Sequence, residues 1–206
     1  MLKRLFDIVV SLWGLAILSP LFLVIALAIK FSSPGPVFYR GLRVGRFGKP
    51  FYMVKFRTMV LNADKLGGPS TADDDPRITE IGRWLRRYKL DELPQLFNVL
   101  KGEMSIVGPR PEVQEVVALY TEREKPLLTL KPGITDYASL WNIDEGAILK
   151  GSKNPHQDYL KKIWPKKVEL QLKYLREQSL WTDVKIIFQT VKQLLVNSKF
   201  KNQNGK

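Results

Sequence analysis

From Leu5 to Ile29 the chain is apolar apart from Asp7, Ser11 and Ser19. A run of that length can cross a hydrocarbon layer of about 30 Å, so the pattern predicts a membrane-embedded helix. The run exceeds the apolar core of a signal peptide, roughly 7 to 15 residues, and no small-x-small cleavage site follows, so it is expected to stay attached. Lys3 and Arg4 precede it and Lys30, Arg40 and Arg43 follow. The positive-inside tendency therefore places both ends on the cytoplasmic side. Ser19-Pro20 interrupts the middle, where proline removes a backbone donor and crowds the preceding turn, and where the serine hydroxyl can satisfy the freed carbonyl. Each arm then has roughly 12 to 15 residues, about 20 Å of helix, enough for one leaflet. The expectation is a re-entrant helix-break-helix with Ser19 and Pro20 at the membrane break. The competing reading is an ordinary kinked transmembrane helix.

The breaker cluster Ser32 to Pro36 ends this segment. Val37 to Val44 and Phe51 to Met59 alternate apolar and polar residues around RFGKP, predicting a short hairpin that carries Arg40, Arg43, Lys55 and Arg57. Leu66 to Arg77, with Gly67, Gly68, Pro69 and Asp73 to Asp75, reads as a loop. Apolar residues recur at helical spacing over Ile78 to Tyr88 and again over Glu92 to Leu100. Asp91 stands where an N-cap belongs, and Pro94 suits a first turn because the donor it lacks has no intrahelical partner there. Further breakers fall at Gly108 to Pro111, Lys131 to Gly133 and Gly151 to Pro155. Two helices are predicted near the end, Gln157 to Glu177 and Trp181 to Leu195. Trp164, Trp181 and Phe188 among Lys161, Lys162, Lys166, Lys167, Lys185 and Lys192 suit helices lying in a headgroup layer, although packing on the core explains the pattern equally well. The predicted organisation is a re-entrant membrane hairpin over 1–31, a cytoplasmic catalytic domain over 32–196 and a disordered basic tail over 197–206. The fold class is α/β, mostly helical and monotopic.

A length of 206 residues allows one well-buried core and excludes two large domains. The absence of cysteine excludes thiol chemistry and a disulfide framework, and the single His156, beside Pro155, reads as a surface residue. Carboxylate chemistry leads by elimination. Thirty-three Lys and Arg against 20 Asp and Glu, a formal charge of +13, suit nucleic acid, anionic lipid or phosphorylated substrates. The adjacent Asp91 and Glu92 lie among Arg83, Arg86, Arg87 and Lys89. A carboxylate at a helix N-terminus with arginines nearby is held ionised, so Asp91 is expected to be anionic. It can cap the helix, hold a divalent cation or attack phosphorus; Glu92 can hold the same cation or manage a proton. Lys55 and Arg57 share a strand face, and Arg110 sits between two prolines. Such cations clamp phosphate oxygens.

Taken in order, Lys3 to Asp7, Ser19-Pro20, SPGPVFYR, KFRTM, DPRIT-x-x-GRWLR, LDELPQLFNVLKGEMSIVGPRP and KPGIT resemble the small monotopic phosphoglycosyl transferases, a bacterial sugar transferase family, over about residues 2 to 195. The resemblance implies that Asp91 is the catalytic nucleophile, that Glu92 supports it, and that both hold Mg²⁺. It places Lys55, Arg57, Arg86 and Arg110 at phosphate-binding positions. It implies a two-step transfer of a phosphosugar from a UDP-sugar to polyprenol phosphate, with UMP released and an aspartyl phosphosugar between the steps. The expected setting is the cytoplasmic face of a bacterial inner membrane, against anionic phospholipid and without nucleic acid. Two departures stand out. Many members continue KPGIT as Gly-x-x-Gln-x-x-Gly-Arg, whereas here it runs DYASLWNIDEGAIL, and Gln171 stands where many relatives carry Asp. The competing functions are a basic membrane- or nucleic-acid-binding protein without catalysis and a nucleotide-sugar hydrolase.

Overall fold

A 31-residue helix, α1 (Leu2–Ser32), opens the structure and lies along the rest of the chain. The computed structural model describes residues 1–203 apart from Pro69 and Ile143, with side chains as far as Val196. After α1 comes an antiparallel hairpin of β1 (Phe38–Val44) and β2 (Pro50–Phe56), in which Tyr39 faces Lys55 and Gly41 faces Met53. The one-turn helix α2 (Ala63–Leu66) precedes α3 (Glu80–Arg87) and α4 (Gln95–Lys101). Then follow β3 (Ser105–Val107), α5 (Gln114–Val117), β4 (Gly133–Thr135), and the short helices α6 (Tyr137–Trp141), α7 (Glu145–Leu149) and α8 (Pro155–Asp158). A π-helical turn at Tyr159–Ile163 joins α8 to α9 (Trp164–Glu177), and α10 (Leu180–Gln203) ends the described chain. This α10 runs on into the segment predicted as a disordered tail, and 204–206 lie outside the described residues.

The sequence pattern missed one sheet. The predicted breakers at 108–111 and 131–133 flank β3 and β4, which pair in parallel with Ser105 opposite Gly133 and Val107 opposite Thr135. Three-residue strands are too short to show an alternating pattern. Gly108 and Gly133 allow the pairing, because a Cβ on Gly133 would lie 2.1 Å from the Gly108 nitrogen and one on Gly108 would lie 2.4 Å from the Lys131 carbonyl oxygen. Around this pair Met53, Leu96, Val99, Met104, Ile106, Val107, Tyr174 and Ile186 form the main core.

Helix α1 is fastened to the domain at both ends. Near its start the Lys3 amine donates to Val107 O at 3.1 Å and pairs with the buried Asp183, while the Arg4 guanidinium donates to Val99 O (2.5 Å) and Leu100 O (2.8 Å), carbonyls in the last turn of α4. Asp7, buried in an otherwise apolar helix, accepts from Ser105 Oγ at 3.1 Å and Ile106 N at 3.2 Å. Toward the other end Ile25 and Ile29 pack with Phe56 and Leu85. The opposite face, with Leu5, Leu12, Trp13, Ile17, Leu23, Val24 and Phe31, is exposed and apolar. By length and composition α1 can cross a membrane.

At the predicted break α1 continues as helix through Pro20. The Ser19 hydroxyl donates to Ala16 O at 2.9 Å. That carbonyl is the one the missing Pro20 N–H would have bonded, so the freed acceptor is satisfied without unwinding.

The two final helices differ in role. On α10, Trp181, Val184, Phe188, Val191 and Leu195 recur at helical spacing on an exposed stripe, while Asp183 and Ile186 face inward. On α9, Val168, Leu172 and Tyr174 are buried and Trp164 lies against Tyr120 and Tyr159. Core packing therefore accounts for α9 and both faces matter for α10. Asp7→Ala is expected to destabilise the protein by about 1–3 kcal/mol, because it strands the Ile106 N–H and the Ser105 hydroxyl in the interior. Denaturant unfolding in detergent micelles measures the loss; an unchanged midpoint contradicts the anchoring role.

Candidate active site

Three segments deliver the site. Lys55 comes from β2. Lys89, in the left-handed conformation at φ 56, turns the chain out of α3 into a 3-10 turn, Leu90–Glu92, that carries Asp91 and Glu92. The loop after β3 brings Arg110, and the Gly108 approach to β4 fixes where that loop starts.

Glu92 is the hub. Arg110 grips it with both ends of its guanidinium, Nη2 to Oε1 at 2.5 Å and Nη1 to Oε2 at 3.1 Å, and the Lys55 amine reaches Oε1 at 2.9 Å. Burial pushes the Glu92 carboxyl up, but Arg110 and Lys55 more than reverse this and hold it well below the ordinary carboxylate range. Burial lowers the Lys55 amine, against the pull of Glu92. Arg110 is raised well above its ordinary value, mainly by Glu92.

Asp91 differs from its neighbour. It is 6% exposed, and its Oδ1 is buried with no hydrogen-bond partner. It does not cap α4: the N-cap position is held by Pro94, three residues on. The expected dipole stabilisation is therefore replaced by burial, which pushes the Asp91 carboxyl up, with Glu92 adding to the effect while Lys55, Lys89 and Arg86 pull the other way.

The other predicted phosphate ligands are placed unequally. Lys55 and Arg110 converge on Glu92. Arg86, in the last turn of α3, is half-buried and close enough for its charge to act on both Asp91 and Asp75. Arg57 lies just past β2 and braces the chain where α1 ends, donating to Pro34 O at 2.7 Å and Ser33 O at 2.9 Å. Asp91, Glu92, Lys55, Arg57, Arg86 and Arg110 all border one cavity of about 1330 Å³. Apolar side chains of α1, α4 and α10, among them Val10, Leu96, Ile187 and Leu194, also line it.

Sequence reasoning missed a second ion cluster behind Arg110. Lys167, predicted among the headgroup lysines, is 3% exposed; it pairs with Glu112 at 2.8 Å and Glu145 at 3.4 Å and donates to the Tyr159 hydroxyl at 2.9 Å. The only available signal was Glu112, two residues after Arg110 in the GPRPE run. The two departures from the family pattern also meet: the fully buried Gln171 donates to Asp136 Oδ2 at 3.2 Å, and Asp136 Oδ1 caps α6 through Ser139 N at 2.7 Å.

A metal ion fits Asp91 better than Glu92. The unpartnered Asp91 Oδ1 suits a hard cation, whereas both Glu92 oxygens are committed to Arg110 and Lys55. Among the described residues no group of three or more His, Cys, Asp or Glu converges on a metal position.

The two carboxylates predict opposite pH behaviour. Glu92 has a folded value below its ordinary 4.5, so its stabilisation is present above that pH and is lost as pH falls through the folded value. Asp91 has a folded value above its ordinary 3.8, so its neutral form favours the fold below that pH and the benefit is lost as pH rises through the folded value. Glu92→Gln, which leaves Lys55 and Arg110 facing each other, is expected to cost about 3 kcal/mol or more at neutral pH. Asp91→Asn is expected to raise thermal stability at neutral pH, with the gain vanishing below pH 3.8. Melting curves of both variants across pH check the two signs.

Residues 1–197 match the model of a family described as bacterial sugar transferase. The chain is 43% identical over 205 residues to the UDP-glucose:undecaprenyl-phosphate glucose-1-phosphate transferase of Escherichia coli (strain K12), covering 96% of this chain and 41% of that protein. It is 38% identical over 209 residues to the undecaprenyl-phosphate galactose phosphotransferase of Salmonella typhimurium, covering 94% and 40%. Similarity to the uncharacterized sugar transferase EpsL of Bacillus subtilis is 36% over 203 residues, covering 98% and 92%. The chain thus spans about two fifths of the length of the E. coli and Salmonella proteins and nearly all of the B. subtilis one. With its ordered motifs, its site and this match over nearly its whole length, the chain belongs to the bacterial sugar transferase family.

Proposed function

We propose that this protein moves a sugar phosphate from a UDP-sugar to undecaprenyl phosphate at the cytoplasmic face of the bacterial inner membrane. The observation that carries the reading is Asp91, a buried carboxyl whose Oδ1 has no hydrogen-bond partner, in a residue that lines the cavity together with Lys55 and Arg110. In its ionised form Asp91 attacks the phosphorus attached to the sugar. A bond forms between Asp91 Oδ and that phosphorus, the bond to the bridging oxygen breaks, and UMP leaves with the electron pair. An oxygen of undecaprenyl phosphate then attacks the same phosphorus, and Asp91 departs as carboxylate, leaving an undecaprenyl diphosphate sugar. Arg110, Lys55 and Arg86 disperse charge on the transferring phosphate. Glu92 holds the first two in place. Bound Mg²⁺, with Asp91 as its protein ligand, would supply further charge neutralisation on the diphosphate.

The names of the relatives favour this donor and acceptor, and the cavity suits them, since both cations and apolar side chains line it. The outward faces of α1 and α10 are apolar and suit a bilayer of anionic phospholipid, which the charge of +13 favours. Because both ends of α1 rest on the same domain, we read α1 as entering and leaving one leaflet. The acceptor phosphate then stays at headgroup depth.

Asp91→Asn is expected to lower UMP release from UDP-sugar by about 10³-fold or more, since no amide replaces a carboxylate nucleophile. Intact mass of the wild type mixed with donor alone should show the added phosphosugar. Turnover without any such adduct, or a variant as active as wild type, overturns the covalent reading. UMP release that does not depend on undecaprenyl phosphate identifies a hydrolase instead.

A further inference from the structure

One wall of the cavity is built from groups that the transfer chemistry leaves idle. Helix α7 presents Glu145 to the cavity with 35% of its side chain exposed. Lys167 reaches only Oε1, at 3.4 Å, and among the described residues Oε2 has no hydrogen-bond partner. Glu112 is held more tightly, since Lys167 at 2.8 Å and the Tyr159 hydroxyl at 3.0 Å both converge on its Oε1. Three residues before Glu145, Asn142 borders the same cavity, and its Nδ2 is buried without a partner.

This wall is stiff. Asp73 N donates to Gly146 O at 3.1 Å and Gly151 N to Asp74 Oδ2 at 3.0 Å, so the acidic loop is tied to both ends of α7. Gly146 permits that seating, since a Cβ there would lie 2.0 Å from Asp73 Oδ1. The wall also stands next to the phosphate clamp. The charges of Arg110 and Glu145 act on each other, and Lys167 and Arg110 keep the Glu145 carboxyl below its ordinary range despite burial.

We propose that Glu145 and Asn142 form the subsite for the sugar of the donor. The sugar is bonded directly to the phosphate that Arg110 holds, so it falls against this wall. A carboxylate only accepts hydrogen bonds, and two neighbouring hydroxyls of a sugar ring are matched donors for its two oxygens. Asn142 Nδ2 supplies a donor for a ring substituent oxygen. The same carboxylate repels a second anion, so the subsite selects a neutral polyhydroxylated sugar over one bearing a carboxylate. The inference rests on the UDP-sugar reading above and adds which residues read the sugar.

The test is calorimetric titration of the full chain in detergent with UDP, UDP-glucose, UDP-galactose and UDP-glucuronic acid. An Asp91→Asn background keeps chemistry from obscuring binding. Glu145→Gln is expected to weaken the tightest-binding neutral UDP-sugar by about tenfold, to leave UDP within about twofold, and to narrow the gap to UDP-glucuronic acid. Asn142→Ala, which leaves the Lys167 cluster intact, should weaken the same sugar nucleotide and spare UDP. Equal weakening of UDP and UDP-sugar, or no change in either variant, overturns the sugar subsite while leaving the transferase reading standing. A parent protein that binds neither UDP nor any UDP-sugar overturns both.

Discussion

One partly buried carboxylate, Glu92, organises the candidate active site. It is gripped by a guanidinium from the loop after β3 and by an amine from β2, and it sits on a turn between α3 and α4. Separating these charges leaves uncompensated ions in the interior, so the three segments are held in one arrangement. Asp91 gains from this. Its neighbour takes the direct contacts of Lys55 and Arg110, and Asp91 Oδ1 stays buried and unpaired. Neighbouring carboxylates are thus pushed in opposite directions, Glu92 down by Arg110 and Lys55 and Asp91 up by burial.

The same logic extends outward. Behind Arg110 the buried Lys167 gathers Glu112 and Glu145, so the Arg110–Glu92–Lys55 group is backed by a second set of paired charges. Desolvated ions of this kind are costly unless paired, and their pairing ties α7 and α9 to the loop that carries Arg110. The site is therefore backed by a second layer of ion pairs, while apolar residues of α1 and α10 line the same cavity.

Polar anchoring also sets where the membrane helix can lie. Lys3, Arg4 and Asp7 read in the sequence as flanking charges and an oddity in an apolar run. In the structure each satisfies buried or terminal groups of the domain. An apolar helix so fastened at one end and packed by Ile25 and Ile29 toward the other presents one face to the protein and leaves the opposite face apolar and exposed. The candidate site and the exposed apolar face of α1 are thereby kept in fixed register.

Periodicity determined the elements long enough to repeat: α1, the hairpin, α3, α4 and the two final helices all show in the order of apolar residues. Chemical type determined the candidates, since a chain with no cysteine and one histidine has little besides Asp91 and Glu92 to offer. Tertiary structure decided what no spacing encodes. The three-residue strands β3 and β4 have no period to display, and only their backbone pairing across Gly108 and Gly133 reveals them. Lys167 looked like a headgroup cation, and Arg57 like a phosphate ligand with no sign of its hold on Ser33 and Pro34, because charge in a sequence carries no information about burial. Asp91 looked like an ionised cap because its position in the motif says nothing about the low-dielectric pocket that surrounds it. Each of these depends on residues far apart in the chain, brought together only when the core closes.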